Sequence, residues 1–328
     1  MSKMIKILSI DGGGIKGLIP ALILAEIEKR TQKPVADLFD LVAGASTGGI
    51  LALGLVTPDE NNNPAYKAEE IARLYELKGQ FAFPKAFRAL SFVLKNLQKL
   101  GIISEKYPKK FLYKVFEDLY NSNKLSDALA EVLIPAYDIE KRKVFFFNSK
   151  KAKENPIYDF LMKDVAYAGS AAPTYFDPLK LNIADSDYLV LVDGGVYANN
   201  PALCALAEAK KMYPDAKDFL VISLGTGNPS KTWLYEDAKK WKRSDWTRKV
   251  LDISGHGVAD TVDYQLGCLL PDINGQKRYY RFNVILNPNN EAIDNASPQN
   301  LGALRALAEQ FIYENDETIN NLCKTLTE

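Results

Sequence analysis

The chain has 328 residues, of which 47% are hydrophobic and 25% are charged, and its 41 basic residues balance 41 acidic ones. This composition is typical of a folded globular protein. A formal net charge of zero argues against a protein dedicated to binding nucleic acid, which would carry excess positive charge. The length is compatible with one large α/β domain over residues 1–328 that carries an inserted subregion.

The cysteines and the apolar runs narrow the class further. Cys204, Cys268 and Cys323 lie far apart and show no Cys-x-x-Cys spacing, so we expect neither a disulfide framework nor a zinc site. The first apolar run is interrupted by Asp11 and three glycines before it reaches the length of a signal peptide. No stretch approaches the roughly 20 apolar residues of a membrane span. These features predict a cytoplasmic protein.

The first half of the chain opens with two strands that run into glycine-rich turns. Residues 5–10 read as a strand, followed by Asp11-Gly12-Gly13-Gly14-Ile15-Lys16-Gly17 and an amphipathic helix over residues 18–30. Residues 39–43 read as a second strand, parallel to the first because a helix connects them. It runs into Gly44-Ala45-Ser46-Thr47-Gly48. Carboxyl ends of strands in open α/β sheets are where ligands bind.

A basic and aromatic subregion follows at about residues 80–120. The helix predicted over residues 66–78 should end at Gly79. Between residues 81 and 115 phenylalanines and leucines alternate with lysines, and Glu105 is the only acidic residue. This pattern is typical of a surface that contacts anionic lipid headgroups. It is equally compatible with a helical hairpin that packs on the core and exposes its lysines.

The second half alternates strands with helices. An antiparallel pair is predicted over residues 132–138 and 143–147, and a continuous apolar strand over 188–192 ends at Asp193-Gly194-Gly195. A further buried strand is predicted over 219–224. Helices are predicted over residues 111–120, 158–168 ending at Gly169, 202–212, 257–270 and from Ser297-Pro298 to the C-terminus. Residues 233–249 are predicted to be a surface segment, and residues 279–286 a strand. The alternation predicts a mainly parallel central sheet covered by helices on both faces.

Two known chemistries fit the glycine-rich turns in part. Gly12-x-Gly14-x-x-Gly17 has the spacing of a dinucleotide-binding loop, but that fingerprint needs an acidic residue at the end of the second strand, where this chain has Gly44-Ala45-Ser46. A Ser-His-Asp hydrolase is also possible, because Ser46, Asp193 and His256 occur in the α/β-hydrolase order. His256 is the only histidine, it lies in a glycine-rich stretch that suits a loop, and Ser46 follows the second strand rather than a later one.

A third chemistry needs no histidine. Gly44-Ala45-Ser46-Thr47-Gly48 has the pattern of a nucleophile elbow, in which serine stands on a sharp turn between a strand and a helix. Asp193 can accept the serine proton if the two side chains come within hydrogen-bond reach, and Gly194 and Gly195 leave room for that approach. Gly12, Gly13, Gly14 and Ile15 offer consecutive backbone N–H groups for an oxyanion hole, and Lys16 adds positive charge.

These residues together resemble three ordered motifs of the patatin-like phospholipases: the loop from Asp11 to Gly17, the elbow around Ser46, and Asp193-Gly194-Gly195. The segments 171–176 and 294–300 also resemble the family, so the resemblance spans nearly the whole chain. It implies a three-layer α/β/α fold with a helical cap, a Ser46/Asp193 dyad, and an oxyanion hole from Gly12 to Ile15, supported by Lys16, Gly44, Thr47, Gly48, Gly194 and Gly195. The commoner family residue at position 16 is arginine; lysine keeps the charge but loses the planar fork.

The resemblance also implies an activity. It predicts a calcium-independent esterase, without metal or cofactor, that releases fatty acids from phospholipids or galactolipids and contacts the membrane transiently from the cytoplasm. No nucleic-acid partner is expected, and no motif identifies a small-molecule or protein activator. A catalytically silent lipid-binding or storage protein on the same scaffold is the alternative.

Overall fold

The computed structural model describes residues 3–82, 107–184, 187–273 and 275–328. Its strands are β1 (Ile5–Ile10), β2 (Leu41–Gly44), β3 (Glu131–Asp138), β4 (Lys143–Asn148), β5 (Leu179–Ala184), β6 (Asp187–Asp193), β7 (Phe219–Leu224), β8 (Asn228–Pro229), β9 (Tyr279–Phe282) and β10 (Ile285–Leu286). Its helices are α1 (Leu18–Thr31), α2 (Val35–Leu38), α3 (Thr47–Val56), α4 (Ala68–Ala82), α5 (Lys109–Tyr120), α6 (Ser149–Glu154), α7 (Met162–Ser170), α8 (Gly195–Ala198), α9 (Ala202–Met212), α10 (Tyr235–Ala238), α11 (Arg243–Leu269), α12 (Pro298–Glu314) and α13 (Asp316–Thr327).

The central sheet has the order β5-β6-β3-β2-β1-β7-β9, with β4 paired to β3. Strands β3, β2, β1, β7 and β9 run parallel to one another. Strands β4 and β6 run antiparallel to β3, and β5 runs antiparallel to β6. The prediction of a mainly parallel sheet is therefore confirmed, with an antiparallel group at one side.

Helices cover the sheet on both faces, because alternate strand residues point to opposite sides. On one face Leu8 and Ile10 of β1 join a large apolar cluster with α1, α3, α4, α7 and α12. On the other face Ile5 and Ile7 join a smaller cluster with α9 and α11. This arrangement is a three-layer α/β/α fold, as the sequence predicted.

The antiparallel direction of β6 has a consequence for the site. Because β4 occupies one edge of β3 from Leu133 to Asp138, β2 and β6 share the other edge. They approach each other end to end: Ala43 of β2 lies opposite Leu133, and Asp193 of β6 lies opposite Ala136. Leu133 and Ala136 are three residue steps apart along β3, which corresponds to about 10 Å. The carboxyl ends of β2 and β6 thus converge from opposite directions, rather than as neighbouring ends of parallel strands.

Several predicted boundaries were wrong. Gly79 lies inside α4, which continues to Ala82, and Gly169 lies inside α7, which starts only at Met162. Helix α11 begins at Arg243, so it contains much of the predicted surface segment and also His256. The strand predicted over 279–286 is split into β9 and β10.

Part of the basic and aromatic subregion at 80–120 lies outside the described residues, since positions 83–106 are not described. Its last part forms α5 as predicted, a helix that buries Leu112, Phe116 and Leu119. No helix among the described residues is long and apolar enough to cross a membrane.

Candidate active site

Ser46 stands at a sharp turn between β2 and α3. Its backbone has φ 51° and ψ −122°, a conformation that costs a non-glycine residue about 1–3 kcal/mol. The flanking glycines make the turn possible: a Cβ added to Gly44 would lie 2.0 Å from the Gly48 carbonyl oxygen, and one added to Gly48 would lie 2.2 Å from the Ile10 carbonyl oxygen. The predicted strand, turn and helix are therefore present, and α3 begins at Thr47, directly after the serine.

The Ser46 hydroxyl lies beside the Asp193 carboxylate and lowers the pKa of that group. Asp193 Oδ1 also accepts a hydrogen bond of 2.7 Å from the Gly195 N–H. The side chain is almost fully buried, and burial raises the pKa of Asp193 to about 6, although the Ser46 hydroxyl and the Gly195 N–H both oppose that rise. The carboxylate is thus a stronger base than an ordinary aspartate and is still mostly ionised at neutral pH.

The glycine loop after β1 lies directly beside Ser46. A Cβ added to Gly12 would lie 3.2 Å from the Ser46 Cβ. The Gly12 N–H donates to the Asn199 carbonyl at 3.0 Å, and the Ile15 N–H donates to the Ile293 carbonyl at 2.8 Å. Within the described residues the Gly13 and Gly14 N–H groups have no acceptor. The expectation that all four N–H groups are available is therefore corrected: two hold the loop in place and two are free.

The other predicted supporting residues surround this centre. The Thr47 hydroxyl and the Tyr75 hydroxyl lie 2.5 Å apart, and Thr47 is the first residue of α3. Gly194 packs against β3, since an added Cβ would lie 2.3 Å from the Pro135 carbonyl oxygen. Lys16 is buried behind the glycine loop, and burial lowers the pKa of its ammonium group despite the nearby acids Asp252 and Glu291.

His256 does not join the serine and the aspartate. It lies within helix α11, not in a loop, and its Nε2 is 3.5 Å from Asp252 Oδ1 one turn earlier. Across the described parts of the chain, no hydrogen bond or ion pair links His256 to Ser46 or to Asp193. In the same described ranges no group of three or more His, Cys, Asp or Glu side chains could hold a metal ion.

Two contributors escaped the sequence analysis. Asn199 accepts the hydrogen bond from Gly12 through its carbonyl, and its side-chain Oδ1 is 2.5 Å from where a Gly12 Cβ would lie. The next residue, Asn200, accepts a hydrogen bond of 3.1 Å from the Ala202 N–H through its Oδ1, at the start of α9.

Arg281 of β9 is the second contributor. Its Nη2 lies 2.7 Å from the Asp11 Oδ2, and its Nη1 donates to the Ser223 hydroxyl at 2.9 Å. Asp11 is nearly inaccessible to solvent and immediately precedes the glycine loop. The buried ion pair therefore holds the start of the glycine loop to β9, the last strand at one edge of the sheet. No local sequence signal links two residues so far apart in the chain.

Comparison with known proteins gives a consistent result. The family model described as "Patatin-like phospholipase" matches residues 8–206. "Patatin-like protein 2" of Oryza sativa subsp. indica is 34% identical and aligns over 95% of this chain and 85% of its own length. "Probable inactive patatin-3-Kuras 1" of Solanum tuberosum is 31% identical over 95% of this chain and 87% of its own length. A solved structure, "Crystal structure of VipD from Legionella pneumophila", aligns over 94% of this chain and 67% of its own, with 14% identity and a TM-score of 0.38, too low to support an argument.

Proposed function

Because the chain belongs to the patatin-like phospholipase family, we propose that it is a lipid acyl hydrolase in which Ser46 and Asp193 act as a catalytic dyad. The observation that carries this proposal is the position of the Ser46 hydroxyl, on its strained turn, beside the buried Asp193 carboxylate. The substrates that we propose are phospholipids or galactolipids, hydrolysed as by a phospholipase A and without calcium.

The reaction proceeds through an acyl-enzyme. Ser46 Oγ attacks the ester carbonyl carbon while Asp193 takes the hydroxyl proton. The raised pKa of Asp193 makes this transfer easier than it would be to an ordinary carboxylate. Asp193 then gives the proton to the leaving alkoxide, and the lysolipid departs. In the second step Asp193 takes a proton from water, whose oxygen attacks the acyl carbon. The bond between that carbon and Ser46 Oγ then breaks, Asp193 returns the proton to Ser46 Oγ, and the fatty acid leaves.

The tetrahedral intermediate carries a negative oxygen that needs hydrogen-bond donors. We assign this role to the Gly13 and Gly14 N–H groups, because those of Gly12 and Ile15 are already bonded. A donor of this kind is typically worth about 3 kcal/mol of transition-state stabilisation. The buried Lys16 adds positive potential at the loop, and the N-terminus of α3, which begins at Thr47, adds the positive end of its helix dipole.

Fatty-acid release from mixed liposomes tests the dyad. Ser46→Ala and Asp193→Asn should each abolish release while remaining folded, and His256→Ala should keep activity near that of the unmodified protein. The unmodified protein should be equally active with a calcium chelator. Activity retained by Ser46→Ala would refute the hydrolase mechanism, and a folded but inactive His256→Ala would favour the triad.

One relative bears the word "inactive" in its name, so catalysis must be separated from passive lipid binding. A fluorophosphonate probe reacts with an activated serine. It should label the unmodified protein, and Ser46→Ala should stay unlabelled. No labelling of the folded, unmodified protein would favour a catalytically silent lipid-binding or storage protein.

A further inference from the structure

All three tryptophans of the chain lie in one cluster just before and at the start of α11, in which Trp233 and Trp246 are exposed and Trp241 is half-buried. The ring centroids of Trp233 and Trp241 are 5.1 Å apart, and those of Trp241 and Trp246 are also 5.1 Å apart, both pairs edge to face. The Lys249 ammonium group lies over two of these rings, 4.5 Å from the centroid of Trp233 and 4.4 Å from that of Trp241. With the exposed apolar neighbours they form what we call the tryptophan face: Trp233, Leu234, Tyr235, Trp241, Trp246, Lys249, Val250 and Ile253.

The tryptophan face continues along one side of α11. Trp246, Val250 and Ile253 follow the spacing i, i+4, i+7 and are 47%, 51% and 43% exposed. Residues at this spacing share one helix face. The opposite side of α11 is the one that packs on the sheet, through Val262 and Leu266. The first turns of α11 are thus apolar on the side that faces solvent, which soluble proteins rarely tolerate without a binding partner.

The charge around this face differs from that of the whole chain. Between positions 231 and 253 there are seven basic and four acidic residues, whereas the complete chain is neutral. Tryptophan prefers the boundary between lipid headgroups and acyl chains, and lysine binds anionic headgroups while its stem stays in the apolar layer. We propose that the tryptophan face docks on an anionic membrane surface.

A second protein molecule fits this face less well. Lysine is depleted in the centres of protein interfaces, but here Lys249 lies in the middle of the aromatic cluster. An anionic headgroup can pair with this ammonium group while the indole rings insert beside it. The excess of basic residues around the cluster is complementary to the charge of such a membrane.

Docking through this face would bring the bilayer close to the proposed site. The inner side of α11 reaches Asn199, since a Cβ added to Gly255 would lie 3.9 Å from the Asn199 side chain. Asn199 in turn holds Gly12 beside Ser46. The near end of the tryptophan face, at Ile253, is therefore about one helix diameter, on the order of 10 Å, from these residues, and Trp246 lies about two turns farther along α11. This link rests on the proposed function, because a lipid hydrolase needs its substrate layer near the serine.

Tryptophan fluorescence tests the proposal directly, because every tryptophan of the protein lies in the face. The Ser46→Ala protein is mixed with vesicles of phosphatidylcholine, with or without phosphatidylglycerol, whose acyl chains carry bromine. We expect a blue shift and strong quenching with the anionic vesicles and weaker effects with phosphatidylcholine alone. Binding of the protein to anionic vesicles without quenching would overturn the proposal, since another surface would then be the contact.

A double variant gives the second measurement. Trp246→Ala with Lys249→Gln should lower the partition coefficient onto anionic vesicles about tenfold. Tyr313→Ser, which removes an exposed aromatic side chain from α12, should leave it unchanged. Equal partitioning of the double variant and the parent would refute the docking role. So would a dimer of the parent protein that the double variant dissociates, because the face would then bind a second copy.

Failure of this inference can be told apart from failure of the proposed function. Vesicle binding is measured on Ser46→Ala, which needs no catalysis. Hydrolysis is measured on a short soluble ester, which needs no membrane. If docking alone is wrong, the double variant and the parent partition equally onto anionic vesicles while the soluble ester is still hydrolysed.

Discussion

Replacing Asp193 with asparagine should stabilise the protein at neutral pH while it abolishes catalysis. Burial raises the pKa of Asp193 from its ordinary 3.8 to about 6 in the folded state. Between these values the folded protein holds a proton that the unfolded chain has lost, so the free energy of unfolding falls as pH rises through this window. Above about pH 7 the burial of the ionised carboxylate destabilises the folded protein to its full extent, and below about pH 4 this destabilisation is absent. A pKa difference of this size corresponds to about 3 kcal/mol.

The asparagine of the Asp193→Asn variant would avoid this cost, because its side chain is neutral. Its amide oxygen can still accept the Gly195 hydrogen bond that the carboxylate accepts at 2.7 Å. We therefore expect Asp193→Asn to be more stable than the unmodified protein by about 1–3 kcal/mol at pH 8, and by close to nothing at pH 4.

Urea unfolding at several values between pH 4 and pH 8 measures this difference. Asp215→Asn, a change at an exposed aspartate, serves as the matched control and should keep the pH dependence of the unmodified protein. A stability difference between Asp193→Asn and the unmodified protein that is the same at pH 4 and pH 8 would refute the argument. The same would follow if Asp193→Asn were the less stable protein at pH 8.

Three further predictions concern the same site. The kcat/KM for a soluble ester should rise with pH through about 6, because the general base loses its proton there. His256→Gln should leave that midpoint in place. A pH profile of His256→Gln that is flat would implicate the histidine. Gly48→Ala should lower the free energy of unfolding by more than about 3 kcal/mol, because the new Cβ would meet backbone atoms. Gly302→Ala is the control: no atom lies near its Cβ, so it should be neutral or stabilising by up to about 1 kcal/mol. Equal urea midpoints for the two variants would contradict this prediction. Arg281→Met should cost about 3–5 kcal/mol by leaving Asp11 buried and unpaired, and a change below about 1 kcal/mol in urea unfolding would show that the ion pair does not anchor the loop.

The elbow could be predicted from sequence because its geometry is encoded locally. A Cβ at Gly44 would meet the Gly48 carbonyl within the same turn, so this position admits no side chain, and a serine between two glycines at this spacing has few other structural reasons to be there. Strands β1 and β7 were equally readable, since both are short, mostly apolar runs that lead into glycine-rich loops. Such features depend on neighbouring residues, so they can be predicted without knowledge of the tertiary structure.

Glycines inside helices could not be read in the same way. Gly79 and Gly169 each follow a helical pattern, so both predicted a helix end. In the structure their lack of a side chain serves packing: a Cβ would lie 2.6 Å from Ile15 Cδ1 at Gly79 and 2.7 Å from Ile134 Cγ2 at Gly169. The contacting residues lie 64 and 35 positions earlier in the chain, so no local window contains the reason.

The direction of β6 was beyond sequence reasoning for a related cause. Its apolar residues fit a parallel strand as well as an antiparallel one, and only the pairing with β3 decides. Yet this direction brings Asp193 towards the end of β2, where Ser46 follows. The aspartate could be named from its motif, but the route by which it reaches the serine required the structure.

The hydrogen-bonded N–H groups of Gly12 and Ile15 matter as much for the proposed chemistry as the free N–H groups of Gly13 and Gly14. A loop of three glycines would ordinarily fluctuate, and donors that must reorganise stabilise a developing charge poorly. Here Gly12 is held by Asn199 and Ile15 by Ile293, so the loop is fixed on both sides of Gly13 and Gly14. Their N–H groups can then point at a fixed position before the substrate arrives. An oxyanion hole on this loop needs those flanking bonds, which explains why segments near residues 199 and 293 belong to the site although neither carries a reactive side chain.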